Sequence, residues 1–273
     1  MSKQQENITD TIATDLARDF EHREITLVGK TRHVYVSGTG PAVIVMAEMP
    51  GIYDLVVDFA RRVRDQGFTV WMPQLFGEVG PRPGGAHMYK TIARTCISRE
   101  FHALASHSTS PIVDWLRALA AHALPICGGN GVGAIGMCFT GNFALSMMLE
   151  PAMVAPVLCQ PSLPLFKKGG MHISPADLRC VKDRLEKEDL TVLAYRFEGD
   201  QYCRKERFDD YEEALGDRIK TTTLPDEAAA RSHIPPHSVV TMHLVDEEGE
   251  PTRAALDEIL SFYKKRLKPT SQA

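Results

Sequence analysis

The rhythm of apolar and polar positions changes repeatedly along this chain. Residues 24–28 and 31–37 alternate on either side of Gly29-Lys30, a period of two that predicts an antiparallel hairpin. Residues 42–47 (Ala-Val-Ile-Val-Met-Ala) are apolar without a break, as in a strand covered on both faces. From 54 to 66 the spacing becomes helical, and 68–73 is strand-like again. The alternation recurs, with a helix over about 111–123, a strand ending at Cys138 and a helix to about Leu149. A strand at 155–159, a helix near 175–187, a strand at 191–197, a helix near 204–215 and a strand at 219–224 come next, and a helix over 252–267 closes the chain. Such alternation predicts an α/β fold, a mostly parallel sheet with helices on both faces, in one domain. Residues 1–22 are polar and read as an N-terminal extension, a tail or short helix, which leaves 23–273 for the domain.

Two segments break the rhythm. Residues 77–99 carry Pro81, Pro83, Gly84 and Gly85, and 225–245 carry His233, His237 and His243. Loops of this length inside a compact domain usually serve a site, and the first is long enough to be a cover.

Composition narrows the classes. The chain has 273 residues, 44% apolar and 24% charged, with a net charge of −4 and a pI near 6.2. With no dominant basic patch, a nucleic acid is not expected as partner. No apolar run approaches a membrane span, and the polar first residues lead into no secretory signal. A cytoplasmic location is therefore expected. Six cysteines, at 96, 127, 138, 159, 180 and 203, have no paired CxxC spacing, which favours reduced thiols over disulfides or zinc. Neither a cofactor nor a metal is implied, and the pattern leaves the oligomeric state open.

The densest chemical signal is Gly133-Ala-Ile-Gly-Met-Cys138-Phe-Thr-Gly-Asn-Phe-Ala-Leu145. An apolar strand runs into Gly-x-Cys, and a helical pattern starts at once. That is the layout of a nucleophile elbow, in which a strand delivers a reactive side chain onto a tight turn. Small neighbours are needed where strand and helix nearly touch. The amide N–H groups behind the turn are placed to hold a developing oxyanion. The competing reading is a buried core cysteine beside an ordinary turn.

In an open parallel sheet, ligands bind at the carboxyl ends of the strands. Four reactive side chains fall just beyond predicted strands: Glu48, Cys138, Asp200 and, in the loop after 219–224, His237. The order nucleophile, acid, histidine is that of an α/β-hydrolase triad. A thiol is little ionised at neutral pH and needs a neighbouring imidazole, which in turn needs a carboxylate to fix its tautomer. Bland readings stand beside each: Glu48 at a helix start, Asp200 as a turn residue with Asp209 and Asp210 as rivals, and His233 or His243 in place of His237. His243, among apolar neighbours in 239–245, reads as a packed histidine.

The segments Val43-Ile-Val-Met-Ala-Glu-Met-Pro-Gly-Ile52 and Met72-Pro-Gln-Leu-Phe76, the Gly-x-Cys elbow, Gly199-Asp200 and His237-Ser238 stand in an order and spacing that resemble the dienelactone hydrolase (carboxymethylenebutenolidase) family, over about residues 24–267. The resemblance implies an α/β-hydrolase fold and an enzyme that opens a small ester or lactone through a thioester acyl-enzyme. It makes Cys138 the nucleophile, His237 the base and Asp200 the acid, with Glu48 contacting the thiol. The backbone N–H groups of Phe139 and Met49 would form the oxyanion hole, and Arg99 is the candidate for binding a substrate carboxylate. Two departures stand out. Thr140 occupies a position where the family usually has Gly, so its hydroxyl is free to enter the site. Pro235-Pro236 precede His237 where a Gly-His approach is usual. A thioesterase or other acyl hydrolase on the same triad, and a catalytically silent binding scaffold, are the alternative functions.

Overall fold

The computed structural model describes residues 16–83, 110–164 and 167–268. Its centre is an eight-stranded sheet. The predicted hairpin forms as β1 (Glu21–Leu27) and β2 (Lys30–Gly38), antiparallel, with Leu27 opposite Lys30. The strand β1 takes two residues from the segment read as an extension, and Ala17 and Phe20 ahead of it are already buried in the core. After β3 (Ala42–Met46) come the helix α1 (Asp54–Asp65) and β4 (Thr69–Pro73). Next are α2 (Pro111–Cys127), β5 (Val132–Met137), the short α3 (Phe143–Ser146) and β6 (Met153–Cys159). The helix α4 (Pro175–Lys187), β7 (Val192–Phe197), α5 (Lys205–Leu215), β8 (Ile219–Leu224) and α6 (Pro251–Leu267) complete the order.

The strands lie in the order β1-β2-β4-β3-β5-β6-β7-β8. From β4 to β8 all pairs are parallel, while β2 meets β4 antiparallel. The unbroken apolar run of β3 serves both faces. Ile44 and Met46 join a core with Ile112, Trp115 and Leu116 of α2, whereas Val43 and Val45 join one with Val56 and Val57 of α1 and Ile259 of α6. This is the period-two consequence of a sheet covered on both sides.

Two helices differ from the expected pattern. The helix α2 runs past Pro125 to Cys127, one turn longer than predicted, and ends at Gly128, whose φ is +69°. The helix expected from the elbow to Leu149 breaks into a 3-10 turn (Cys138–Thr140), the single turn α3 and another 3-10 turn (Met147–Leu149). Arginines supply the reason. Arg117 of α2 donates to the Ser146 carbonyl at 2.7 and 3.0 Å, and Arg184 of α4 donates to those of Met148 (2.7 Å) and Glu150 (2.5 Å). Those carbonyls find guanidinium partners, so the backbone has no need to continue an α-helix to satisfy them.

The chain leaves β3, adds β4 on one side, then crosses to place β5 on the other. The reversal puts a crevice between the ends of β3 and β5, where such sheets bind ligands. Glu48 and Cys138 lie just past these two strands.

Candidate functional site

Cys138 sits directly beyond β5 with φ of +53°, a left-handed conformation that costs energy for any side chain with a Cβ. The surroundings over-determine it. Its carbonyl accepts from the N–H groups of Gly141 (3.0 Å) and Ser162 (2.9 Å). A Cβ on Gly136 would lie 2.1 Å from the Thr140 carbonyl oxygen, and one on Gly141 would lie 2.5 Å from the Pro161 Cα, so both positions admit only glycine. The Thr140 hydroxyl does not enter the site, contrary to what its position allowed. It is fully buried, accepts from the Met137 N–H at 2.9 Å and lies 3.0 Å from the carbonyls of Met46 and Met137, to one of which it donates. It thereby ties the turn to the end of β3.

His237 and Asp200 come together as the strand-end positions predicted. The imidazole Nδ1 donates to Asp200 Oδ2 at 2.7 Å. The other carboxylate oxygen accepts from the N–H groups of Tyr202 (2.8 Å) and Cys203 (3.0 Å), so the acid is held on three sides and is 2% exposed. The buried guanidinium of Arg196 fixes the same turn by donating to the carbonyls of Phe197, Glu198 and Cys203. Asp209 pairs with Lys205, and Asp210 accepts from the Gly170 N–H, which accounts for both rival aspartates. The histidine alternatives also resolve. His233 is exposed, and its Nε2 donates to the Pro83 carbonyl at 3.1 Å. His243 is buried, as expected of a packed histidine, and it also braces the loop. Its Nδ1 accepts from the N–H groups of Ser238 (3.0 Å) and His237 (3.3 Å).

With Nδ1 committed to Asp200, the tautomer leaves Nε2 of His237 as a buried acceptor with no protein hydrogen bond among the described residues. Burial pulls the imidazole toward neutrality. The charge of Asp200 and the ionised sulfur of Cys138 outweigh it and hold the pKa well above the ordinary histidine value.

The four expected residues line one cavity of about 540 Å³, except Asp200, which stands behind the imidazole. Met49 and Phe139, the expected oxyanion donors, line it as well. Arg99 and most of the 77–99 segment lie outside the described residues. The cations the described wall does contain were missed in the sequence: Lys167, Lys168 and Arg204. The loop bearing the lysines is held from beneath by the buried Arg207, which donates to the carbonyls of Leu163, Pro164, Lys167 and Gly170. Tyr202 was missed too. Its ring is 59% exposed at the mouth and meets the His237 ring edge-on at 5.3 Å. No pattern marks these residues, because the 160–170 and 201–204 segments have no periodicity.

Glu48 is buried beside Cys138 in the same wall, but the four hydrogen bonds on its carboxylate come from elsewhere. Tyr53 and Thr241 donate to Oε1, and Ser238 (2.5 Å) and Gln160 (3.3 Å) to Oε2. Gln160 was overlooked, although the strand-end rule that singled out Glu48 and Cys138 applies to it: it is the first residue after β6.

Among the described residues no cluster of side chains could hold a metal ion, and no helix is long and apolar enough to cross a membrane.

Comparison with known proteins bears on this geometry. The sequence model of the dienelactone hydrolase family matches residues 29–168, which include Glu48 and Cys138 and stop short of Asp200 and His237. No curated protein sequence matches the chain. Among solved structures, a Klebsiella pneumoniae protein given as a dienelactone hydrolase superposes with a TM-score of 0.62 at 16% identity, over 90% of this chain and 98% of that one. A dienelactone hydrolase-like promiscuous phosphotriesterase from metagenomic libraries gives 0.60 at 18%, over 91% and 98%. An α/β serine hydrolase without a lid from Xanthomonas campestris gives 0.54 at 13%, over 92% and 97%. At these identities the likeness establishes the α/β-hydrolase fold.

Proposed function

The chain belongs to the dienelactone hydrolase family, and from that premise we propose that it hydrolyses a small ester or lactone with Cys138 as nucleophile, His237 as base and Asp200 as the orienting acid. The observation that carries the reading is the 2.7 Å bond from His237 to Asp200, with the opposite ring nitrogen buried and Cys138 in the same cavity wall.

The placement suits nucleophilic acyl transfer. Nε2 of His237 takes the proton of Cys138, and Sγ attacks the ester carbonyl carbon. The carbonyl oxygen gains the negative charge, which the N–H groups of Phe139 and Met49 receive. Collapse of this intermediate breaks the bond to the alkoxide oxygen, which takes the proton from Nε2, and leaves a thioester on Cys138. In a lactone the alkoxide remains tethered to the acyl group. Water then gives a proton to Nε2 as it attacks the thioester, and Sγ departs to be reprotonated. Asp200 keeps the ring in the required tautomer throughout. Lys167, Lys168 and Arg204 in the lining suit an acyl group with a distal negative charge, the role for which Arg99 was the candidate.

Alkylation by an iodoacetamide-type reagent tests the nucleophile. Cys138 is expected to react far faster than the other cysteines, of which Cys159 and Cys203 are buried with their thiols pushed up by burial. A chain with no privileged thiol would be a silent scaffold. A panel of aryl esters and lactones, with and without a carboxylate, then defines the substrate.

A further inference from the structure

The resemblance places Glu48 on the thiol, but its carboxylate is bound on both oxygens by other groups. The donors come from three separate parts of the molecule. Tyr53 stands at the start of α1, Gln160 at the end of β6, and Ser238 and Thr241 lie in the loop that carries His237. We propose that Glu48 is a positioning residue: it anchors the 237–241 loop to the sheet and, through Ser238, sets the imidazole of His237 against Cys138. The inference rests on His237 being the base.

Three observations support it. First, residues 230–250 form no helix or strand, so side-chain bonds have to locate this loop. His243 braces it internally by accepting from the N–H groups of His237 and Ser238, and a second brace must tie it to the fold. Secondly, Glu48 is 2% exposed and no cation is paired with it among the described residues, so its charge is met by four directed donors rather than by solvent. A buried carboxylate satisfied this way holds its donors in place, since each one lost would leave a buried oxygen one donor short. Thirdly, Gln160 has φ of +36° and uses both ends of its amide in the same assembly. Its Nε2 donates to Glu48, and its Oε1 accepts from the Val239 N–H at 3.4 Å. Strained backbone that persists where a side chain bridges two partners is a sign of a built feature.

Ser238 is covalently next to His237, so a backbone shift that follows loss of its bond to Glu48 carries the ring with it. A displacement of about 1 Å at a reacting atom costs on the order of a hundred-fold in rate. A clamp and a thiol contact make different predictions for residues that never approach the sulfur.

The test compares Glu48→Gln, Ser238→Ala and Thr241→Val with His237→Ala, reading kcat, KM and the pH profile of Cys138 alkylation on an activated aryl ester. The clamp predicts a roughly ten- to hundred-fold loss of kcat in Glu48→Gln and Ser238→Ala, with a smaller loss in Thr241→Val and KM little changed. The alkylation profiles shift toward that of His237→Ala. The double variant Glu48→Gln/Ser238→Ala loses no more than the worse single, as expected of residues acting as one unit. If only Glu48→Gln alters alkylation while Ser238→Ala and Thr241→Val match the wild type in both rate and profile, the clamp is overturned. Should Glu48→Gln fail to fold, as judged by circular dichroism, the two hydroxyl variants decide the matter alone. Full activity in His237→Ala would remove the triad reading and the clamp with it. A dead His237→Ala beside unaffected hydroxyl variants removes the clamp only.

Discussion

Two neighbouring parts of the site are built on opposite principles. The turn bearing Cys138 is held largely by sterics: two glycines that admit no Cβ, a threonine hydroxyl under the backbone against the end of β3 and a strand leading straight in. The loop bearing His237 has no regular structure: His243 braces it from within, and hydrogen bonds to the distant side chains of Asp200 and Glu48 locate it. A tight turn can be specified by its own sequence, whereas an irregular loop takes its shape from whatever it reaches. The first arrangement resists single polar changes and fails on added volume. The second tolerates volume and fails when a donor or acceptor is lost.

The sharpest test of the contrast is on the turn itself. Cys138→Ala removes one sulfur and no packing brace, so the fold is expected to persist with kcat reduced by roughly ten-thousand-fold or more. Wild-type turnover in the purified variant would refute the nucleophile. On the loop, His237→Ala is expected to lose about a hundred- to ten-thousand-fold in kcat/KM, the usual contribution of a general base. His233→Ala, an exposed ring bonded to the Pro83 carbonyl and outside the triad, should be little changed, and His243→Ala should fall between them. A dead His243 variant beside an active His237 one would reverse these assignments.

Volume should separate the two parts next. Gly136→Ala forces a methyl to within 2.1 Å of a backbone oxygen and is expected to cost roughly 3 kcal/mol or more of stability, read as a lowered denaturant midpoint. A neutral Gly136→Ala would mean that the turn is softer than its contacts imply.

Acid provides the mildest probe. His172, whose carbonyl accepts from Asn142 Nδ2 behind the elbow at 2.6 Å, has its pKa lowered to about 4 by burial and by the nearby Arg207. Above pH about 6.5 the ring is neutral in both folded and unfolded chains. Below that, the unfolded chain takes up a proton that the folded one refuses, so stability falls as pH drops toward 4, by about 3 kcal/mol in all. His172→Met should flatten this part of the stability–pH curve. An unchanged curve would show that His172 is not the group being titrated.

Reading the fold from the sequence worked where one rule operates locally. Apolar runs and their spacing set the strand and helix order, and looking just past each strand picked out Cys138 and Glu48, which line one cavity, and Asp200, which accepts from His237. It faltered where a partner was remote. The helix behind the elbow breaks because Arg117 and Arg184 reach its carbonyls from other elements. Thr140 looked able to enter the cavity, but the end of β3 claims its hydroxyl. Arg99, the candidate the resemblance suggested, lies outside the described residues, while the cations in the described wall come from segments with no pattern, one of them shaped by the buried Arg207.

The α/β order, the position of the elbow and the chemical types needed around it were all legible in the amino-acid sequence, because they depend on side-chain period, backbone sterics and thiol chemistry within a short stretch of chain. The hydrogen bonds that hold His237 against Asp200 and Ser238 against Glu48 were decided in three dimensions alone. Ser238 and Glu48 are 190 positions apart, and a hydrogen bond between such residues leaves no trace in local periodicity, since it exists only after the sheet has brought the strand ends together.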